Sequence, residues 1–331
     1  MQQNIKESPF GCFSHGRCKE RGTGYINKMN LAVKIAGIEL KNPVMTASGT
    51  FGSGMEYADF VDLSRLGAVV TKGVSDVPWE GNPTPRVAEV YGGMLNAIGL
   101  QNPGVETFVR RDLPFLAGQS TRVIVNVCGH TEEEYLRVVE RLGQEKTVDM
   151  LEINVSCPNV TRGALQFGQD PACLEALTSR IRRVARQPII MKLTPNVTNI
   201  ADLARAAEAG GADAVSLINT ITGMKIDVEK QRFVLANRTG GLSGPCIKPV
   251  AVRMVYQCAR AVKIPIIGMG GIASGEDAVE FLLAGATAVA VGMMNFHDPH
   301  TTEHVVDGIR DYCRRHHVSD VRDLIGAVKD A

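Results

Sequence analysis

No CxxC pair occurs among the eight cysteines of this 331-residue chain. With no export signal, that absence points to reduced thiols in a cytoplasm. Residues 1–28 carry five Lys/Arg against two Glu and lack a continuous apolar core, so they do not form a secretory signal. The pair Cys12 and Cys18 with His15 between them lacks a second ligand pair, which argues against a metal site; residues 1–28 read instead as a disordered extension. Met29 then stands as a candidate natural start of the patterned sequence. Long apolar runs are also missing. The stretch Phe281 to Met294 falls short of the roughly 18 residues of a membrane span. The formal net charge is only +1, which offers no field for nucleic acid or an anionic membrane and favours a small-molecule substrate.

What is present is a rhythm. Eight short β-rich apolar runs alternate with helical patterns: Pro43–Ser48, Ala68–Gly73, Arg122–Gly129, Met150–Cys157, Pro188–Thr194, Ala212–Thr220, Pro265–Gly271 and Ala288–Met294. Parallel strands with crossover helices produce this alternation. Helices are expected over Asn199 to Ala209, with Gly210-Gly211 beyond, and over Ser274 to Ala284, which starts on a Ser cap. An open doubly wound sheet would carry a Gly-rich first turn, and Ala47-Ser48-Gly49-Thr50-Phe51-Gly52 is not GxGxxG. The expected fold is therefore a (β/α)8 TIM barrel, one domain over residues 29–331. Three long connections, Val74 to Gln101, Pro158 to Asp170 and Ile221 to Gly244, read as lids and binding loops on the face of the strands' C-terminal ends.

Those ends concentrate polar groups: Ser48, Lys72, Asn126, Asn154, Cys157, Lys192, Asn219 and Thr220. Burying them is costly unless they bond something, and convergence on one ligand would satisfy them together. The seventh and eighth strands end in Gly268-Met269-Gly270-Gly271 and Val291-Gly292-Met293, the barrel positions that commonly hold a phosphate through backbone N–H groups. A phosphorylated cofactor is implied, and flavin mononucleotide fits. In Asn154-Val155-Ser156-Cys157-Pro158-Asn159, Pro158 cannot continue a central ladder, so the thiol of Cys157 is placed at a strand's C-terminal end. Cys128, Cys173, Cys246, Cys258 and Cys313 are read as small buried core residues.

These residues resemble the FMN-containing dihydroorotate dehydrogenases of the soluble type 1, whose base is cysteine. The likeness runs from about Asn30 to the C-terminus through Asn42-Pro43, Ala47-Ser48-Gly49, Thr71-Lys72-Gly73, Asn96-Ala97-Ile98-Gly99-Leu100-Gln101-Asn102, the Asn154–Asn159 segment, Ile218-Asn219-Thr220 and Gly240-Gly241-Leu242-Ser243-Gly244. The resemblance implies FMN contacts at Ser48, Lys72, Gly73, Asn126, Asn154, Lys192, Ile218, Gly244, Gly270, Gly271, Gly292 and Met293. It implies substrate contacts at Lys72, Asn96, Ala97, Ile98, Gly99, Leu100, Asn154, Asn219 and Thr220, with Cys157 as general base. Val160 to Asp170 would shield that base, with Gly163 and Gly168 as hinges.

Asn159 to Gly168 followed by Asp170-Pro171 looks like type 1B, the catalytic subunit that pairs with an FAD and [2Fe–2S] subunit and uses NAD+. A homodimer of this chain within a heterotetramer is then expected, oxidising (S)-dihydroorotate to orotate in pyrimidine biosynthesis. The fumarate-using type 1A is the runner-up, followed by a related dihydropyrimidine dehydrogenase, a tRNA dihydrouridine synthase and a non-enzymatic binding subunit. This chain has neither a CxxC-rich cluster region nor a second nucleotide fold, so the FAD, the cluster and the NAD site would lie on the partner.

Overall fold

All eight runs form strands. The computed structural model describes residues 29–155 and 167–330. Its strands are β1 Val44–Thr46, β2 Ala68–Val70, β3 Arg122–Val127, β4 Met150–Asn154, β5 Ile189–Lys192, β6 Ala214–Leu217, β7 Ile266–Met269 and β8 Ala288–Val291. They pair in parallel in chain order and β8 pairs with β1, closing the barrel. The paired lengths are shorter than the apolar runs, because Ser48, Lys72, Gly73 and Asn219 lie past the last residues of their strands.

Register decides which side chains meet. Asn126 pairs with Glu152, Asn154 with Lys192, and Lys192 with Ser216. Side chains two apart on a strand share a face, so Asn126, Glu152, Asn154, Lys192 and Ser216 all project to one side. Beneath them the barrel is filled by apolar residues, among them Ile124, Ile190 and Ile267, each at most 1% exposed. Truncating one of these to alanine would cost about 2–5 kcal/mol.

Seven α-helices surround the described barrel: α1 Val105–Ala117, α2 Glu132–Leu142, α3 Pro171–Val184, α4 Ile200–Ala209, α5 Lys248–Ala259, α6 Gly275–Leu283 and α7 Thr301–Arg315. Their starts are chemically marked. Ser274 caps α6 as expected, and Asn199, Thr131 and Asp170 cap α4, α2 and α3 in the same way. Glu132, Glu133 and Glu134 also place negative charge on the first turn of α2, where the helix dipole favours it. The crossover from β1 to β2 has no α-helix; it runs through turns and the 3-10 segment Leu63–Arg65, held inward by Phe51 stacked on Tyr57 at 4.0 Å.

Two of the three expected loops are not irregular. The strands Val87–Val90 and Gly93–Asn96 form a hairpin, and Gly93–Asn96 also pairs with Thr239–Ser243, which pairs in turn with Ile221–Met224. The result is a four-stranded antiparallel sheet joining the connections after β2 and β6. It has its own small core of Ala88, Leu95 and Leu235. At the other end of the barrel, the hairpin Val33–Ile35 and Ile38–Leu40 lies against the start of β3, where Arg122 donates from Nε to the Glu39 carbonyl at 3.0 Å.

Candidate active site

Lys192 enters from the end of β5 with its ammonium bonded to two side chains. Nζ donates to Ser48 Oγ at 2.8 Å and to Glu152 Oε1 at 3.2 Å, joining the turn after β1 to the middle of β4. Asn126 Nδ2 donates to the same Glu152 oxygen at 2.6 Å, and Ser216 Oγ donates to Oε2 at 2.8 Å. Glu152 is 1% exposed, and its two oxygens tie together four strands. It was absent from the sequence reading. The available signal was a lone carboxylate inside the apolar strand Met150–Asn154, two residues before Asn154 on the same face.

Lys72, past the end of β2, is different. Its Nζ has no hydrogen-bond or ion-pair partner among the described residues, while its backbone N–H is anchored to the Gly52 carbonyl at 2.7 Å. Burial pushes its ammonium below the ordinary value, Arg86 pushes the same way, and Cys128 and Glu56 oppose both in part. It faces a cavity of about 370 Å³ bounded by Gly49, Thr50, Tyr57, Gly73, Phe108 and Phe296 among others.

A second polar chain crosses to β6. Asn219 Nδ2 donates to Asn154 Oδ1 at 3.2 Å, Asn219 Oδ1 accepts from the Thr220 N–H at 2.8 Å, and the Asn154 carbonyl accepts from Tyr135 Oη at 2.7 Å. Thr220 packs against Gly241 so closely that a Cβ there would lie 2.0 Å from Oγ1. Gly241 is paired with Asn96, so the accessory sheet brings Asn96 beside Thr220. The segment Ala97 to Leu100 continues back toward β2: Ala97 and Ile98 accept from Asn82, Gly99 has a positive φ of 75°, and Leu100 reaches the Gly73–Asn126 contact. Of the nine residues expected to touch substrate, Lys72 lines the cavity described above, Asn154, Asn219 and Thr220 are joined across β4 and the end of β6, and Asn96 is brought beside Thr220 by the accessory sheet.

The glycines expected to hold a phosphate are also contiguous. Gly270 and Gly271 have φ of 127° and 82°, and neither amide donates to a described backbone acceptor. A Cβ on Gly270 would meet Ile218, one on Gly271 the Gly244 carbonyl, and one on Gly244 the Met293 methyl at 2.5 Å. Gly292 lies next, against Ala47. This glycine-lined cradle suits an anion held by N–H groups. Asn126 Oδ1 is buried without a hydrogen-bond partner among the described residues, and a ligand with a donor would satisfy it. With Lys72, whose ammonium has no partner among the described residues, these features fit a flavin mononucleotide.

Cys157 lies outside the described residues, as do Cys12, His15, Cys18 and the segment 158–166 of the expected lid. Of the other cysteines, Cys128, Cys258 and Cys313 are buried as expected. Burial pushes the Cys258 thiol up to about 12, so it stays protonated and inert at neutral pH. Cys246 and Cys173 depart from the expectation. Cys246 is exposed, in the 3-10 turn Pro245–Ile247 beside Gly92 and Gly93, and Cys173 is half-buried in the first turn of α3.

Among the described residues no helix is long and apolar enough to cross a membrane. The family model described as dihydroorotate dehydrogenase matches residues 30–312. A protein of Lachnoclostridium phytofermentans described as dihydroorotate dehydrogenase B (NAD(+)), catalytic subunit, is 64% identical over 301 residues, 91% of this chain and 100% of that one. One of the same description from Alkaliphilus oremlandii is 59% identical over 301 residues, 91% of this chain and 99% of that one. In fold, the chain is similar to the crystal structure of DHODH from Eimeria tenella in complex with ferulenol, with a TM-score of 0.74 at 23% identity, covering 90% of this chain and 88% of that one.

Proposed function

The chain belongs to the dihydroorotate dehydrogenase family, and from that premise we propose that it oxidises (S)-dihydroorotate to orotate in pyrimidine biosynthesis, with the electrons passing to NAD+. The reaction removes a proton from C5 and a hydride from C6. Bound FMN supplies the hydride acceptor.

Every other part falls to the chain's own residues. The observation that carries the site assignment is Lys72, a desolvated ammonium with no described partner that lines a cavity with Gly73, against which the Asn126 carboxamide packs. It takes the substrate carboxylate. Asn96, Asn154, Asn219 and Thr220 offer both donors and acceptors to the amide edges of the pyrimidine, and Ala97 to Leu100 close its flank. Ser48, Gly73, Asn126, Lys192, Ile218, Gly244, Gly270, Gly271, Gly292 and Met293 would hold the flavin, with its phosphate on the glycines. Cys157 takes the C5 proton. A free thiol titrates at about 8.5, so turnover rises with pH as Cys157 deprotonates.

Residues 29–331 form the single catalytic domain in this reading, and 1–28 an extension outside it. The relatives carry the description "catalytic subunit", which supports a second subunit. FAD and a [2Fe–2S] cluster belong to that partner, in a heterotetramer built on a homodimer of this chain. The cysteine usage supports a cytoplasmic setting.

The test is anaerobic mixing of the flavin-loaded protein with dihydroorotate, in wild type and Cys157→Ala. Wild type should bleach its flavin band and release orotate, and Cys157→Ala should do so at least a hundredfold more slowly near neutral pH. An unbleached wild type rejects the substrate; equal rates reject Cys157 as base.

A further inference from the structure

We propose that Glu152 is a positioning residue that sets how readily the bound flavin accepts electrons, acting through Lys192 and Asn126. The inference rests on the flavin reading above.

A buried ion pair is seldom kept for stability, because removing two charges from water costs about as much as their attraction returns. Glu152 nevertheless stands in a strand whose neighbours Met150, Leu151 and Ile153 are wholly buried and apolar. Its bonds define two consequences at the mouth.

The first is orientation. An ionised carboxylate only accepts, so it draws the Nδ2 donor of Asn126 and leaves Oδ1 as the buried atom without a described partner. Asn126 therefore presents an acceptor to the ligand, on the side of Gly73, where Oδ1 lies 3.2 Å from the position of a Cβ. The same carboxylate and Ser48 Oγ fix the Lys192 ammonium between them.

The second is charge. A hydride taken from the substrate brings two electrons and one proton, so a neutral ring that accepts it gains one negative charge. Lys192 alone would favour that charge; Glu152 opposes it, and the pair has no net charge. Replacing Glu152 by Gln keeps the shape and an acceptor oxygen but removes the opposing charge. The reduced flavin should then be favoured at least tenfold, about 30 mV upward for a two-electron couple.

The experiment is reductive titration of the FMN-loaded protein against a reference dye, in wild type, Glu152→Gln, the double variant Glu152→Gln with Lys192→Met, and Ser216→Ala. The potential should rise in Glu152→Gln and return close to wild type in the double variant, which again carries no net charge. Ser216→Ala breaks a bond to Oε2 without changing charge and should leave the potential in place. If Glu152→Gln does not hold flavin, Glu152→Asp carries the test, with a smaller shift of the same sign as the carboxylate withdraws from Lys192. Flavin bound at an unchanged potential in Glu152→Gln, or an equal rise in Ser216→Ala, overturns this inference alone. A wild-type chain that takes up no FMN overturns the functional reading beneath it.

Discussion

Lys192 and Lys72 both follow an apolar strand and both reach the barrel mouth, yet Lys192 is bonded to Glu152 and Ser48 while Lys72 has no described partner. One positive charge is balanced within the fold; the other is left to be balanced by a ligand. A binding site needs both kinds. The balanced lysine lends rigidity and holds its neighbours, whereas the unbalanced one is desolvated by the fold and gains most when an anion arrives.

Removing each lysine separates these roles. Lys192→Met strands the Glu152 carboxylate with its charge unpaired, and the expected loss is about 3–5 kcal/mol of stability, read from urea unfolding of the FMN-free chain. Lys72→Met removes a buried charge that has no described partner and should leave stability unchanged or slightly higher. Equal losses for both would break the comparison.

The pH dependence of stability sharpens it. Burial holds Lys72 below its ordinary 10.5, so between the folded value and 10.5 the unfolded chain binds more protons than the folded one. Stability contributed at this position therefore rises with pH through that window, as the penalty for a desolvated charge is lifted. Wild type minus Lys72→Met, measured by unfolding across alkaline pH, should show this rise; a flat difference would contradict it.

Arg86 gives the smallest effect. Its charge pushes Lys72 down from a partly exposed position where it is also bonded to Gln101 at 2.6 Å. Arg86→Gln should raise the Lys72 titration slightly, moving the alkaline loss of orotate binding to higher pH without altering binding at neutral pH. A downward move would mean that Arg86 acts on the ligand instead.

Little of this contrast was legible in the sequence. Val70-Thr71-Lys72-Gly73 and Met191-Lys192-Leu193-Thr194 look alike, because a lysine's partner comes from another strand and depends on register. Periodicity recovered the eight strands and residue type recovered the cap Ser274, since both are local signals. It did not recover the accessory sheet, whose pairing of Asn96 with Gly241 joins residues far apart in the chain. The polar strand ends were visible one by one. Glu152, which binds two of them, Asn126 and Lys192, together with Ser216, was hidden in an apolar strand where a carboxylate has no local reason to be.

The most direct test of the lysine contrast is spectral titration of the FMN-loaded Lys72→Met protein with orotate. Retained flavin with orotate binding weakened at least a hundredfold, about 3 kcal/mol, is the result expected from loss of a charge reserved for the ligand's carboxylate. Orotate binding as tight as in wild type would contradict it.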